Sequence, residues 1–365
     1  MKVGLVIYGS LDTLSGGYLY DRKLVEYLRS QGDTVEIISQ PWQNYTGRLG
    51  HNFQLQWQQK INSLDVDILI QDELNHPSLF LVNGTIRPRI SFPIVAIVHH
   101  LRSSEEHPHL LRRFYKWVER RYLCSVDGFI WNSQTTRQVV ESLIGKAGAG
   151  VVVYPAGNRL GGMDENQILE RLQPPGPLRL LFIGNLIQRK GLHTLISALA
   201  TLKSESWSLR VVGRQDVELV YSGRITRQVE EASLGGRIQF LGKLPDKNLA
   251  DELRSAHLLV MVSGYEGFGI VYLEGMSFGL PAIGSTAGAA SEIIQDGVNG
   301  SLVAPDHPAD LANAIWQYLR GPDLLKKHSL AARRRFLEFP TWEMSAMKTR
   351  QFLVDFLGSD WRTKK

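Results

Sequence analysis

The stretch GYEGFGIVYLEGMSFG (264–279) sets two glutamates, Glu266 and Glu274, eight residues apart. Glycines crowd the first, and an apolar helical pattern surrounds the second. The preceding HLLVMVS reads as a buried strand and IVYLEGMSFG as a helix, so Glu266 lies in the turn at the strand's carboxyl edge. Gly267 and Gly269 let a ligand approach the backbone closely. The amides of Phe268, Gly269 and Ile270 would point out of the helix N-terminus, which suits an anion. Glu274 follows about one turn into the helix, at ~1.5 Å per residue. Ionised carboxylates are acceptors, matched to the vicinal hydroxyls of sugars and ribose. Two such acids on either side of an amide-bound pyrophosphate describe a site for a sugar nucleotide.

The surrounding elements must hold that turn in place. KVGLVIYGS opens the chain as a buried strand, followed by a loop with Gly16 and Gly17 and a helix over YLYDRKLVEYLRSQG. TVEII, DILIQ, PIVAIVHH and GFIWNS read as further strands, with the helix HLLRRFYKWVERRYL between the last two, and VVVYPAG closes this half. QPPGP (173–177) is stiff and turn-rich, the best candidate for a linker. The pattern then restarts with LRLLFIGN, LHTLISALATL, SLRVVG, IQFLG, KNLADELRSA and the strand and helix that carry the two glutamates. PAIGS and SLVAP add two short strands. Strands alternating with helices predict parallel, doubly wound sheets. Two Rossmann-like domains are expected, 1–172 and 178–340, facing each other across a cleft, with a last helix in 341–365 crossing back onto the first. Ligands of such sheets bind beyond the carboxyl ends of the strands.

A chain of 365 residues with 43% hydrophobic content suits two domains rather than one. A net charge of +5 and a pI of about 9.2 favour anionic partners such as nucleotides, phosphates or an acidic membrane face. There is no helix-turn-helix, zinc or RNP-like signal, so nucleic acid is not expected. The single cysteine, Cys124, leaves no intrachain disulfide and no cysteine-based metal site. The first apolar run is too short for a signal core, and no run reaches ~18 apolar residues. The expectation is a cytoplasmic protein, with contact at the inner face of the cytoplasmic membrane left open. The sequons at Asn44, Asn83 and Asn299 then read as chance matches. Dehydrogenase chemistry is disfavoured, because YGSLDTLSGG lacks the G-x-G-x-x-G spacing and EIISQPW lacks a ribose-binding acid. No Walker pattern is present. DVD at 65–67 reads as a solvated turn, not a metal-binding acid pair.

The ordered series of a strand plus RKG, a strand plus VVG, F-LG-L, E-x7-E, G-LP-I-S and DGVNG resembles the retaining glycosyltransferases of family 4, whose fold is GT-B. The resemblance is strong over 178–305 and weaker before 150. It implies that Glu266 touches the donor sugar's hydroxyls, Glu274 the ribose, and the amides of Phe268–Ile270 the pyrophosphate. Lys190 in FIGNLIQRKG matches the family's diphosphate-binding lysine. The family's arginine after the glycine is replaced by Asn185, and either Arg189 or Arg214, which follows Gly213, would supply the second cation. His99 is favoured over His100 as the histidine near the reacting carbon, with alternation along the strand sending the two side chains opposite ways. Gly16 and Gly17 match the first glycine-rich loop. Ser133 reads as a helix N-cap, and Glu292 as either a nucleotide contact or a helix cap.

What this implies is metal-independent hexosyl transfer from a UDP-, GDP- or ADP-sugar to a glycan or lipid-linked acceptor, with retention of configuration and no cofactor. The rivals are a sugar-nucleotide epimerase of the same fold and a non-catalytic nucleotide-sugar-binding subunit. Arg112, Arg113, Lys116, Arg120 and Arg121 interleave with aromatics in LLRRFYKWVERRYL. That helix either lies on an anionic membrane or packs on the core with a solvated basic face.

Overall fold

The computed structural model describes residues 1–361 apart from Leu14, Ala147, Pro174 and Pro175. The chain divides into two units, one of Met1–Pro155 with Trp342–Lys365 and one of Ala156–Thr341.

The first unit is built on a six-stranded, wholly parallel sheet of β1 (Lys2–Tyr8), β2 (Thr34–Gln40), β3 (Ile68–Asp72), β4 (Ile94–Val98), β5 (Gly128–Trp131) and β6 (Gly150–Val152). The order is β2-β1-β3-β4-β5-β6. β3, β4 and β5 are buried along their whole length, which is why they read as continuous apolar runs. Chain direction across the sheet reverses between β1 and β3, a topological switch point.

The last helix, Trp342–Gly358, belongs to this unit. Its Ser345 hydroxyl donates to the Tyr154 carbonyl at 2.6 Å, and Arg350 donates to Asp33 at 2.7 Å. Gly128 leaves room for the Phe356 ring, because a Cβ there would lie 3.0 Å from it.

The second unit repeats the theme with β7 (Leu178–Ile183), β8 (Trp207–Val212), β9 (Ile238–Gly242), β10 (Leu258–Met261), β11 (Ala282–Ser285) and β12 (Gly300–Val303). All pairings are parallel and the order is β12-β11-β10-β7-β8-β9. The switch point here falls between β7 and β10, so the loops leaving those two strands frame the ligand position.

The break between units falls before Ala156, upstream of the proline-rich stretch expected to be the linker, two residues of which lie outside the described set. The intervening helix Glu165–Leu172 explains the difference. Its Ile168 side chain fills the space over Gly279, and Arg171 donates to the carbonyls of Phe278 and Gly279 at 2.8 and 3.0 Å.

All three sequons have structural duties, and Asn44 caps the helix Tyr45–Gly50 by accepting the Gly47 amide at 2.8 Å. Asn83 exchanges hydrogen bonds with Gln71, and Asn299 accepts from the Gln295 amide. Asp67 accepts the Lys2 amide at 2.7 Å, so the DVD turn is tied to the first strand. Among the described residues no helix is long and apolar enough to cross a membrane.

Candidate active site

At the β7–β10 switch point three donors converge on one carboxylate oxygen. Lys190 Nζ lies 2.7 Å from Glu266 Oε2, the Ser263 hydroxyl donates to the same oxygen at 3.2 Å, and Arg189 approaches it to 4.0 Å. Arg189 also donates to the Tyr265 carbonyl at 2.8 Å. Lys190 closes a short 3-10 turn, Gln188–Lys190, after β7, and Glu266 follows β10.

Glycines make this convergence sterically feasible. Gly191 has φ 72°, and a Cβ there would meet the Val262 carbonyl oxygen at 2.2 Å. A Cβ on Gly288 would lie 2.1 Å from the Glu266 carbonyl oxygen, which accepts the Ala289 amide at 2.8 Å. The Glu266 turn is thus clamped between two backbone segments. Gly269, at φ 95°, precedes the helix Ile270–Ser277, and no side chain caps that end. Phe268 is buried against Phe339, so only its backbone can serve a ligand.

Glu274 is buried one turn into that helix and accepts from Arg159 Nε at 2.5 Å, while Arg159 also pairs with Asp246. Burial pushes the Glu274 carboxyl above its usual range against the pull of Arg159. Burial works to lower the Arg159 value, yet Glu274 and Asp246 hold it above the ordinary one. Sequence reading missed Arg159, which lies far upstream and outside any motif. The signal that could have pointed to it is Gly157, where a Cβ would come within 2.6 Å of Leu273 in the same helix.

The two candidate substitute cations separate. Arg214 makes a two-point pair with Asp216 at 2.9 and 2.8 Å on the surface, whereas Arg189 sits beside Glu266. Asn185 Oδ1 accepts the Arg214 amide at 3.2 Å and so ties the loops after β7 and β8 together. Gly213, at φ 150°, allows this, since a Cβ would meet the Gly184 carbonyl oxygen at 2.0 Å. Glu292 offers its backbone carbonyl to Arg335 at 2.6 Å.

The first unit gathers a second cluster at its own switch point. Gly16 and Gly17 form the first turn of the helix Gly16–Ser30, whose N-cap is Ser15. A Cβ on Gly17 would lie 3.1 Å from the His99 ring. β4 ends at Val98, so strand alternation does not govern the two histidines, contrary to the expectation from the sequence. They diverge all the same. His99 faces Asp21 at 3.4 Å with Tyr20 packed edge-on, and His100 faces Glu105 at 2.9 Å.

Burial opposes a charged His99, yet the hydrogen bond and charge of Asp21, with Asp72 and Glu73 beyond, hold it above the ordinary histidine range. Burial, then Asp21, pushes the Asp72 carboxyl up to about 8, and burial pushes Glu73 up to about 7. Asp21, Asp72 and His99 offer donor atoms within 4.8 Å of one another, as do Glu73, His76 and Glu119. Both trios could hold a divalent ion, and neither was read from the sequence. Burial lowers His76 to about 4, so that ring is neutral, as a metal ligand must be. Ser133 caps the helix Gln134–Ile144 by accepting the Thr136 amide at 2.9 Å.

Residues 164–335 match the family described as Glycosyl transferases group 1. The chain is 26% identical over 373 residues to a phosphatidyl-myo-inositol mannosyltransferase of Mycobacterium leprae, covering 95% of this chain and 94% of the relative. The chain is a glycosyltransferase. Solved structures similar to this glycosyltransferase share its GT-B fold. Sucrose-phosphate synthase from Thermosynechococcus elongatus matches with a TM-score of 0.83 at 21% identity, covering 98% of this chain and 99% of the other. HepE of Anabaena, solved in complex with UDP and glucose, matches with a TM-score of 0.75 at 21% identity over 97% and 99%. In the glycosyltransferase described here, the clamped Glu266 turn lies within the matched segment.

Proposed function

We propose that this glycosyltransferase moves a hexose from a nucleotide-diphosphate sugar to a glycan or lipid-linked acceptor with retention of anomeric configuration. The observation that carries the proposal is the 2.7 Å pairing of Lys190 with Glu266, with Arg189 alongside, at the carboxyl edge of the second sheet. A diphosphate arriving at the Ile270 helix end would draw the two cations toward itself. That leaves the Glu266 carboxylate to accept from the sugar's hydroxyls. Glu274 would accept from the ribose, sharing its charge with Arg159. Asn185 offers only neutral hydrogen bonding, so Arg189 serves as the second cation.

The leaving diphosphate takes the acceptor hydroxyl's proton on the face it vacates, as the acceptor oxygen bonds to the anomeric carbon. Lys190 and Arg189 stabilise the charge that develops on the leaving oxygen. No carboxylate then serves as nucleophile and no divalent ion is required at the donor. His99, with Gly17 packed on its ring, would sit near the reacting carbon. We place the enzyme in the cytoplasm, with a peripheral contact at the membrane's inner face developed below. The mannosyl relative, with its phosphatidyl-myo-inositol acceptor, supports a lipid-linked acceptor here.

The test is thermal denaturation of the full chain with UDP-, GDP- and ADP-sugars, followed by turnover assays with and without EDTA. One nucleotide class should raise the melting temperature, and EDTA should leave turnover unchanged. Nucleotide sugars that all leave the transition unmoved overturn the proposal, and so does conversion of the sugar without any acceptor, the mark of an epimerase.

A further inference from the structure

The helix His109–Leu123 turns an apolar line outward. Tyr115, Val118, Glu119, Tyr122 and Leu123 form its buried side. Leu110, Phe114 and Trp117, spaced one turn apart, form a line on the opposite side. Leu110 is 79% exposed and Trp117 54%. A core helix with a merely solvated basic face would not leave leucine and tryptophan in water along its outer ridge. Phe114 stacks on Trp117 with ring centroids 6.3 Å apart, and Trp117 rests on Phe80 at 5.6 Å, so the ridge is ordered from beneath. Elsewhere in the same unit Phe53 and Leu55 are 76% and 71% exposed.

The ridge is edged with cations. Arg113, Lys116 and Arg120 recur along one flank, and Arg121 continues the apolar line, all of them exposed. The helix's only acid, Glu119, is buried and accepts the Ser103 amide at 3.1 Å. We infer that this face docks on an anionic bilayer, with Leu110, Phe114 and Trp117 entering the boundary between headgroups and chains, and the four cations in the headgroup layer.

The pattern favours a bilayer over other occupants. A second copy of the chain, paired about a two-fold axis, would set this all-cationic face against itself. Tryptophan and tyrosine are suited to the headgroup level, and basic residues beside an apolar strip match an acidic lipid surface. The inference does not depend on the sugar chemistry proposed above.

The test is co-sedimentation of the full chain with vesicles of phosphatidylcholine alone and of phosphatidylcholine with phosphatidylglycerol. The wild type should pellet with the anionic vesicles only and be released by 0.5 M salt, a concentration of about half molar that screens beyond ~4 Å. Arg113→Glu combined with Lys116→Glu and Arg120→Glu should weaken the partition about a hundredfold or more. Leu110→Ser with Trp117→Ser should weaken it about tenfold or more at unchanged circular dichroism. Equal pelleting with neutral vesicles, or retained binding in both variants, overturns the inference. So does a wild type that binds no vesicle, an outcome that assigns the face to an acidic protein partner instead.

Discussion

At the residue scale the decisive arrangement is a carboxylate that is never left to one partner. Glu266 is met by an ammonium and a guanidinium from the turn after β7, and by a hydroxyl from its own loop after β10. Such convergence fixes the carboxylate's position before any substrate arrives, as the hydroxyl recognition proposed for Glu266 requires. Glu266→Gln keeps the shape and removes the charge. We expect kcat/KM to fall about a hundredfold or more with the secondary structure intact. A steady-state assay beside circular dichroism checks this, and turnover near the wild-type value would remove Glu266 from its role.

Asp72 permits a second experiment at this scale. Its folded value is raised to about 8, against about 4 for an ordinary aspartate. The stability held by the protonated form is therefore complete below about pH 4 and is lost as pH rises toward about 8. Asp21, His99 and Glu73 share the neighbourhood and their charges enter the balance. Asp72→Asn retains an acceptor for the Leu74 amide. It should raise the melting temperature more at pH 8 than at pH 5, as followed by calorimetry. An equal or reversed difference would show that Asp72 is charged throughout.

At the scale of elements, glycine placement decides whether strand ends can close on one another. Gly191 holds a left-handed conformation within van der Waals reach of the strand-end carbonyl of Val262. Gly191→Ala should destabilise the protein by about 1–3 kcal/mol and raise KM for the donor, because Lys190 is displaced with it. Chemical denaturation and donor titration read the two effects. A substitution that leaves both unchanged would show that the turn relaxes freely.

The same elements show what the sequence made legible. The buried strands announced themselves, since ILI in DILIQ and PIVAIV in PIVAIVHH are unbroken apolar runs, and the buried Gln71 comes only after the first of them. The helix over His109–Leu123 was read to the residue. The short turns between Tyr45 and Arg89 were not, because helices of four to six residues such as Tyr45–Gly50 and His76–Leu79 hold too few turns for a periodic signal. Leu219–Glu231 was also passed over, with Ser222 and Gly223 interrupting its apolar spacing. In the candidate site, Glu266 and Lys190 belong to motifs and could be named. Arg159, Asp21 and Asp72 could not, because their partners are remote in sequence and only the sheet order brings them together. The helix His109–Leu123 had two readings in the sequence, and which of its apolar residues lie outward is visible only in the fold, where Leu110 and Trp117 are exposed.

At the scale of the whole molecule, two parallel sheets of different strand order each keep their polar cluster at a switch point. Glu266, Lys190, Arg189 and Glu274 lie in the second unit, while the first depends on a helix from the far end of the chain. Trp342, Ala346, Leu353 and Phe356 of that helix are buried. Removing residues 342–361 should abolish the first unit's cooperative unfolding transition in calorimetry. The second unit's transition should persist and still shift with nucleotide sugar. An unaltered two-unit profile would mean that the helix is dispensable.

That discontinuity also orders events on the ribosome. Residues 1–155 leave the exit tunnel early, yet the strut that completes them is translated after everything in 156–341. At roughly 5–20 residues per second, the delay is about ten to forty seconds. Through that interval the nascent amino-terminal half presents Tyr20, Gly128 and their neighbours without their final cover, a natural substrate for a chaperone, while the later half has every strand it needs.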